Sequence, residues 1–250
     1  MARRILPQRW RASCWRARRM RCGTISADNV LRRRLAVLRP EPGNSATCAG
    51  VGAAGHEAIA LPLFQIVARA WTPPDPRDFD ALILTSANAV RHAGDMLGRY
   101  ANLPTYAVGA ATARAATAAG LRVVAIGADN AASLLDEASA TGVYRALHLG
   151  GVATTITTGG VVAESIAVYA GDPVDVPPEA LTRLVGATAL LHSTRAAERL
   201  AALVPVQSPN RACIALAAIS PGVAAAAGDG WARIAIAAHP NDDSLIAAAD

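Results

Sequence analysis

From residue 80 onward the chain writes one order of segments twice, and this repeat limits what it can fold into more than any other feature. Residues 80–84 (DALIL) have the unbroken apolar character of a buried strand. They run into a polar turn, Thr85-Ser86-Ala87-Asn88, and a helix is expected from residue 89 to about residue 100. Residues 187–192 (ATALLH) run in the same way through Ser193-Thr194-Arg195 into a helix expected over 196–203. In the first copy Tyr106-Ala107-Val108-Gly109 opens a helix that ends near Gly120, and residues 123–126 form another strand. In the second, residues 215–219 lead through Ser220-Pro221-Gly222 to a helix ending near Gly228 or Gly230, then a strand over 234–236. Each copy closes on one more helix, begun by Ser133-Leu134-Leu135 and by Ser244-Leu245-Ile246.

Strand, polar turn and helix in steady alternation give parallel sheets with helices on both faces. Two such runs predict an α/β protein of two similar lobes, and 250 residues suffice for two small domains. Upstream of the repeat, residues 35–38 (LAVL) read as a short buried strand ended by Arg39-Pro40 and Pro42-Gly43. Ser45 caps a weak helix over 46–54, weakened by Gly50 and Gly52. A second strand covers 58–61, residues 63–71 lead away in extended form, and a proline-rich loop follows. In sheets of this kind ligands bind beyond the carboxyl ends of the strands. Both Ser/Thr clusters fall there, so the lobes are expected to present them across a shared cleft.

Charge narrows the function classes. Residues 1–34 hold eleven arginines against Asp28 alone, a net +10, while the remaining residues carry −5. The basicity therefore belongs to an N-terminal extension, read here as disordered or as the product of a mis-assigned start codon, and the folded body is mildly acidic. Nucleic acid is not an expected partner. Apolar residues make up 52% of the chain, yet no uninterrupted run reaches the roughly 18 residues of a membrane span, so a cytoplasmic protein without membrane contact is expected. The four cysteines and five histidines are dispersed without metal-ligand spacing, and no metal is expected. Nucleotide-binding glycine loops, the serine-hydrolase elbow and the zinc-protease helix motif are all missing from the sequence.

Ser86, Asn88, Ser193 and Thr194 stand where strand becomes helix, and each can serve simply as an N-cap. Duplication adds a second reading, because helix N-termini with uncovered amides attract anions. Two facing lobes would offer several such sites to a carboxylate-rich ligand.

The strings DALILTSANAVRHAGDML, LPTYAVGAATARAATAAGLRV and ASLL, in that order, closely resemble the first half of the uroporphyrinogen-III synthase family. LAVLRPEPGNSATC with GHEAIALPLFQI is similar to that family's opening strand, Arg-Pro turn and crossover. IAVYAGDPV, HSTRAAERL and IALAAISPGVAAAAGDGW match its later segments. The resemblance covers about residues 35–250 and implies two flavodoxin-like lobes joined by a two-stranded hinge. One lobe would hold 35–62 and 172–250, the other 68–166, with crossings near 63–67 and 167–171. It further implies a cofactor-free lyase that closes hydroxymethylbilane to uroporphyrinogen III, losing water and inverting the terminal D ring through a spiro intermediate. A monomer is expected, taking its substrate by transient hand-over from hydroxymethylbilane synthase.

Carried over residue by residue, the resemblance makes Tyr169 the catalytic group. It places Thr85, Ser86, Ala87 and Asn88 in a loop that holds substrate carboxylates, Thr112 and the preceding Gly109 near the substrate, and Arg39 in the opening turn. Ser193, Thr194, Arg195 and Ser220 would bind from the opposite lobe. The chain departs from the family in LHLGGVATTITTGGVVAESIAVY, where a full helix is usual and helix formers are few. Val223 also stands where the first copy has Thr112. The alternative reading is a non-catalytic, degenerate synthase-like module that binds an anionic small molecule.

Overall fold

A computed structural model describes residues 32–127, 131–208 and 210–250. The arginine-rich extension lies outside these except for its last three residues. The chain divides into two compact units, the first running to Phe64 and resuming over Pro173–Asp250, the second formed by Gln65–Asp172.

Unit 1 is built on a five-stranded sheet of β1 (Arg34–Val37), β2 (Glu57–Ala60), β9 (Thr188–Leu191), β10 (Ala215–Ala218) and β11 (Arg233–Ile236). The spatial order is β2-β1-β9-β10-β11 and every pairing is parallel. In chain order that is second, first, third, fourth, fifth, the flavodoxin-like arrangement. Its helices are α1 (Gly43–Ala53), α5 (Pro178–Thr182), α6 (Thr194–Leu203), α7 (Pro221–Ala227) and α8 (Asp242–Ala248). Strand residues alternate between two cores, as a period of two requires. Ala36 and Leu38 pack with Leu191, Leu200 and Leu216, while Leu35 and Val37 pack with Val51, Leu190 and Leu245. Sheets covered on both faces read as continuous apolar runs, which is why β9 (TALL) is buried at every position.

Unit 2 holds β3 (Phe64–Ala68), β4 (Ala81–Leu84), β5 (Pro104–Val108), β6 (Arg122–Gly127), β7 (Ala146–Gly151) and β8 (Val162–Pro173), in the order β3-β8-β7-β4-β5-β6. Pairings from β8 to β6 are parallel. The sequence repeat equates β4, β5 and β6 with β9, β10 and β11. That leaves β7 in the place of β1 and β8 in the place of β2. The two sheets thus share one layout, but the strand pair that comes first along the chain in unit 1 comes last in unit 2. The chain passes between units within β3 and β8, which are neighbours in the sheet. On the unit 1 side the Val174 amide donates to the Leu63 carbonyl at 3.0 Å.

Helices of unit 2 are α2 (Ala87–His92), α3 (Ala110–Ala118) and α4 (Ala131–Ala140). The helix expected from residue 89 to about 100 is instead six residues of α-helix followed by a 3₁₀ segment, Gly94–Tyr100. Gly94 explains the break, since its φ of +69° lies outside the right-handed helical region. Between β7 and β8, where unit 1 has α1, residues 152–161 form no helix. Ile156 from this segment is buried against Ile83, Tyr106 and Leu134, so the loop closes that face of the sheet without helix formers.

One charged side chain belongs to the fold. Arg211 is 3% exposed and donates to the carbonyls of Ala201, Val204, Ala227 and Asp229, with its guanidinium 4.1 Å from the centre of the Trp231 ring. It ties the end of α6 to the end of α7.

Candidate functional site

In unit 2 the expected residues gather at the carboxyl ends of β4, β5, β7 and β8. Thr85 follows β4 directly, and its Oγ1 lies 3.1 Å from Nε2 of His148. Ser86 caps α2, its hydroxyl accepting the Asn88 amide at 3.2 Å. Ala87 begins that helix, and the Asn88 side-chain oxygen accepts from Arg91 at 3.1 Å. Gly109 joins β5 to α3 with φ of +79°, its carbonyl accepting the amides of Thr112 and Ala113. Thr112 sits on the inner side of α3 at 4% exposure, beside Ala113 and Ala116. Val223 is equally buried as the third residue of α7. The two copies differ here in one interior position.

Tyr169 lies on β8 opposite Gly151 of β7. Its ring covers Gly151 so closely that a Cβ there would stand 2.7 Å from Cζ and 3.0 Å from the hydroxyl oxygen. The residue is half-buried and its hydroxyl has no hydrogen-bonding partner among the described residues. The His92 ring stands beside it, centroid to centroid 6.2 Å. Tyr169 and Thr85 therefore belong to the same end of one sheet, on strands separated by β7.

Sequence reasoning missed His148. The ring is fully buried on β7, with Nδ1 2.8 Å from the Ser165 hydroxyl on β8. Burial pushes its pKa down to about 4, so the ring is neutral near pH 7. Gly150 gives it room, since a Cβ there would lie 2.5 Å from the imidazole Cε1.

In unit 1, Arg39 follows β1 and its Nη1 contacts both carboxylate oxygens of Asp242, at 3.1 and 3.3 Å. Thr47 also donates to Asp242, the first residue of α8. His192, which holds the position that Thr85 has in the first copy, brings Nε2 to 3.3 Å from Asp242 and is buried. Asp242 is held down to about 2, by His192 first, then by the Thr47 hydroxyl and the charges of His192 and Arg39. The His192 contact is at ion-pair distance without the alignment of a hydrogen bond, so the ring acts on the carboxylate through proximity. Arg39 is thus occupied by a protein carboxylate. Ser193 and Ser220 cap α6 and α7, accepting the amides of Ala196 and Val223. Thr194 opens α6, and the Arg195 guanidinium lies 4.7 Å from the centre of the Phe64 ring.

All three capping serines thus have backbone partners, and α2 is too short to develop much of a dipole. Of the other hydroxyls at this end of the unit 2 sheet, that of Thr85 faces His148 Nε2 and that of Tyr169 stands over Gly151. Among the described residues no three His, Cys, Asp or Glu side chains are placed to hold a metal ion, and no helix is long and apolar enough to cross a membrane.

Compared with known proteins, residues 45–247 match the family described as uroporphyrinogen-III synthase HemD. The chain belongs to the uroporphyrinogen-III synthase family. Two units, each built on a largely parallel sheet with helices, are the α/β architecture anticipated from that family's strings. Among solved structures, a mutant uroporphyrinogen III synthase from the extremely thermophilic bacterium Thermus thermophilus aligns at 17% identity, over 86% of this chain and 96% of that one, with a TM-score of 0.49. The wild-type enzyme from the same bacterium aligns at 18% identity over 86% and 95% of the two chains, with a TM-score of 0.38. A third structure, titled Thermus thermophilus uroporphyrinogen III synthase, gives 18% identity, 86% and 97% coverage and a TM-score of 0.36. No curated protein matches the chain by sequence. Membership of the uroporphyrinogen-III synthase family, and with it a place in tetrapyrrole biosynthesis, rests on the family match.

Proposed function

We propose that this chain is a lyase that converts hydroxymethylbilane to uroporphyrinogen III, closing the linear tetrapyrrole with loss of water and inversion of the D ring. The observation that carries the reading is the family match over residues 45–247, within which Tyr169 has an unengaged phenol. The reaction requires departure of a hydroxyl, a bent chain whose ends meet, and exclusion of water from a reactive azafulvene. A phenol donating to the leaving oxygen assists the first as a weak general acid. Positioning contributes to the second, on the order of 7–11 kcal/mol where the bound geometry is near attack. Tyr169 is the proton donor in this reading, and the end of the unit 2 sheet bearing Thr85 and Gly109 receives part of the substrate.

The test is a coupled assay in which freshly made hydroxymethylbilane is fed to the purified protein and the oxidised uroporphyrin isomers are separated. Uncatalysed closure gives isomer I, so an excess of isomer III reports turnover with ring inversion. Isomer I alone, from protein shown to be folded, sinks the enzyme reading. It would favour a non-catalytic module that binds an anionic ligand, a reading to which the missing β7–β8 helix lends weight.

A further inference from the structure

Four groups on one face of the unit 2 sheet form a chain of hydrogen bonds that ends on a backbone carbonyl. His148 pairs with Ile83 on β4 and with Ser165 on β8. Thr85 is two residues beyond Ile83, so by the pleat it stands on the same face. Thr85 Oγ1 is 3.1 Å from His148 Nε2, His148 Nδ1 is 2.8 Å from Ser165 Oγ, and Ser165 Oγ is 3.4 Å from the carbonyl oxygen of Ile156. Ile156 lies in the helix-poor segment that stands where unit 1 has α1.

The carbonyl can only accept, so if Ser165 serves it across the 3.4 Å contact the chain takes one direction. In that direction Ser165 donates its one hydroxyl proton to Ile156, and its oxygen accepts from Nδ1–H. A neutral imidazole carries one proton, and burial holds this ring neutral. Nε2 is therefore bare and takes the proton of Thr85. The oxygen of Thr85 is left with lone pairs and nothing to donate.

We infer that His148 is a positioning residue that makes Thr85 a pure hydrogen-bond acceptor, so that this position receives a donor group of the ligand, such as a pyrrole N–H or a hydroxyl, and no carboxylate. The inference rests on the proposed substrate site at this end of the sheet. It reverses the expectation that the Thr85 hydroxyl cradles a carboxylate, since two acceptors facing each other repel. It also gives a role to Gly150, which makes space for the ring, and to the helix-poor stretch, which places the Ile156 carbonyl at the end of the chain.

The test has two arms. In protein labelled with ¹⁵N and ¹³C at histidine, His148 is expected as the Nδ1–H tautomer near pH 7, with Nε2 in the unprotonated range. The Nε2–H tautomer would overturn the inference. His148→Gln assigns the signal, and the ring resonance is read in the unmodified protein, so a poorly folding variant does not decide the outcome. In the second arm KM for hydroxymethylbilane is compared across Thr85→Val and Thr85→Asp. Removing the acceptor in Thr85→Val should raise KM roughly three- to tenfold, the size of one neutral hydrogen bond. Thr85→Asp keeps an acceptor and should raise KM less than Thr85→Val. A larger rise for Thr85→Asp would show that a substrate carboxylate lies there and would refute the donor assignment. Absence of isomer III together with the Nδ1–H tautomer would remove the synthase reading and leave the relay standing.

Discussion

Gly151 and Tyr169 form one device, since the phenol reaches its place only because the strand beside it has no side chain. Gly151→Ala puts a methyl group within 3.0 Å of two ring carbons and the phenol oxygen and must move the ring. We expect it to lower kcat for uroporphyrinogen III formation about as much as Tyr169→Phe, on the order of 10²-fold, the low end for a general acid. Stability should fall by about 1–3 kcal/mol, as for other overpacked sites. If Gly151→Ala reduces stability but leaves kcat untouched, the ring's position is irrelevant to the reaction. In unit 1 the carboxylate of Asp242 sets an acid limit. Its pKa is about 2 in the folded protein against an ordinary value of 3.8. A depressed carboxylate stabilises the fold above its unfolded pKa, and that stability is lost as pH falls from about 3.8 to about 2. Asp242→Asn should therefore cost about 1 kcal/mol at pH 7, modest because a third of the side chain is exposed to solvent. Its denaturation midpoint should also vary less with pH between 4 and 2 than that of the parent. Tyr169 and Thr85 could be singled out in the sequence because each lies in a string that carries the family resemblance, and the structure puts both at one end of the unit 2 sheet. His148, Ser165 and Asp242 were not, since their partners lie 63, 17 and 203 residues away and meet them only through strand register or helix docking.

Among the elements, the alternation of strands and helices could be read from the sequence because apolar runs and glycine or proline punctuation are local signals. Two features resisted. The helix after Ser86 breaks at Gly94, whose positive φ outweighs the apolar spacing around it. The β7–β8 connection buries Ile156 through tertiary packing, which no propensity scale registers. The ends of α6 and α7 depend on a residue that sequence reasoning passed over. Arg211 satisfies four carbonyls that water reaches poorly, two of them in fully buried bonds. Arg211→Met preserves much of the apolar stem but leaves those acceptors unpaired, at about 1–3 kcal/mol for each buried group. We expect a loss of about 3 kcal/mol in urea denaturation with little change in KM. A variant within 0.5 kcal/mol of the parent would show that other donors replace the guanidinium.

At the scale of the whole chain, each hydrophobic core is made of residues from a single unit. Unit 2 is also continuous, Gln65–Asp172, and carries a complete set of parallel pairings. Expressed alone, this segment should unfold cooperatively and retain the Tyr169–Gly151 contact, checked by urea denaturation and by the tyrosine's resonances. A non-cooperative transition would mean that its cores need the remainder of the chain. The permuted order of its strands was invisible in the sequence, because a repeat shows which segments correspond and says nothing of which strand pairs with which. In unit 1 that arrangement bears on synthesis. β1 is an interior strand of its sheet, yet its partner β9 begins at Thr188, about 150 residues later. At about 5–20 residues per second the open edge of β1 waits roughly 8–30 seconds for that partner. Unit 2 is finished within that interval and, by folding first, replaces a long flexible loop with a compact body. Slow codons placed just after residue 172 would lengthen the exposure of β1 without affecting unit 2, and the nascent chain should be most vulnerable to aggregation and proteases there.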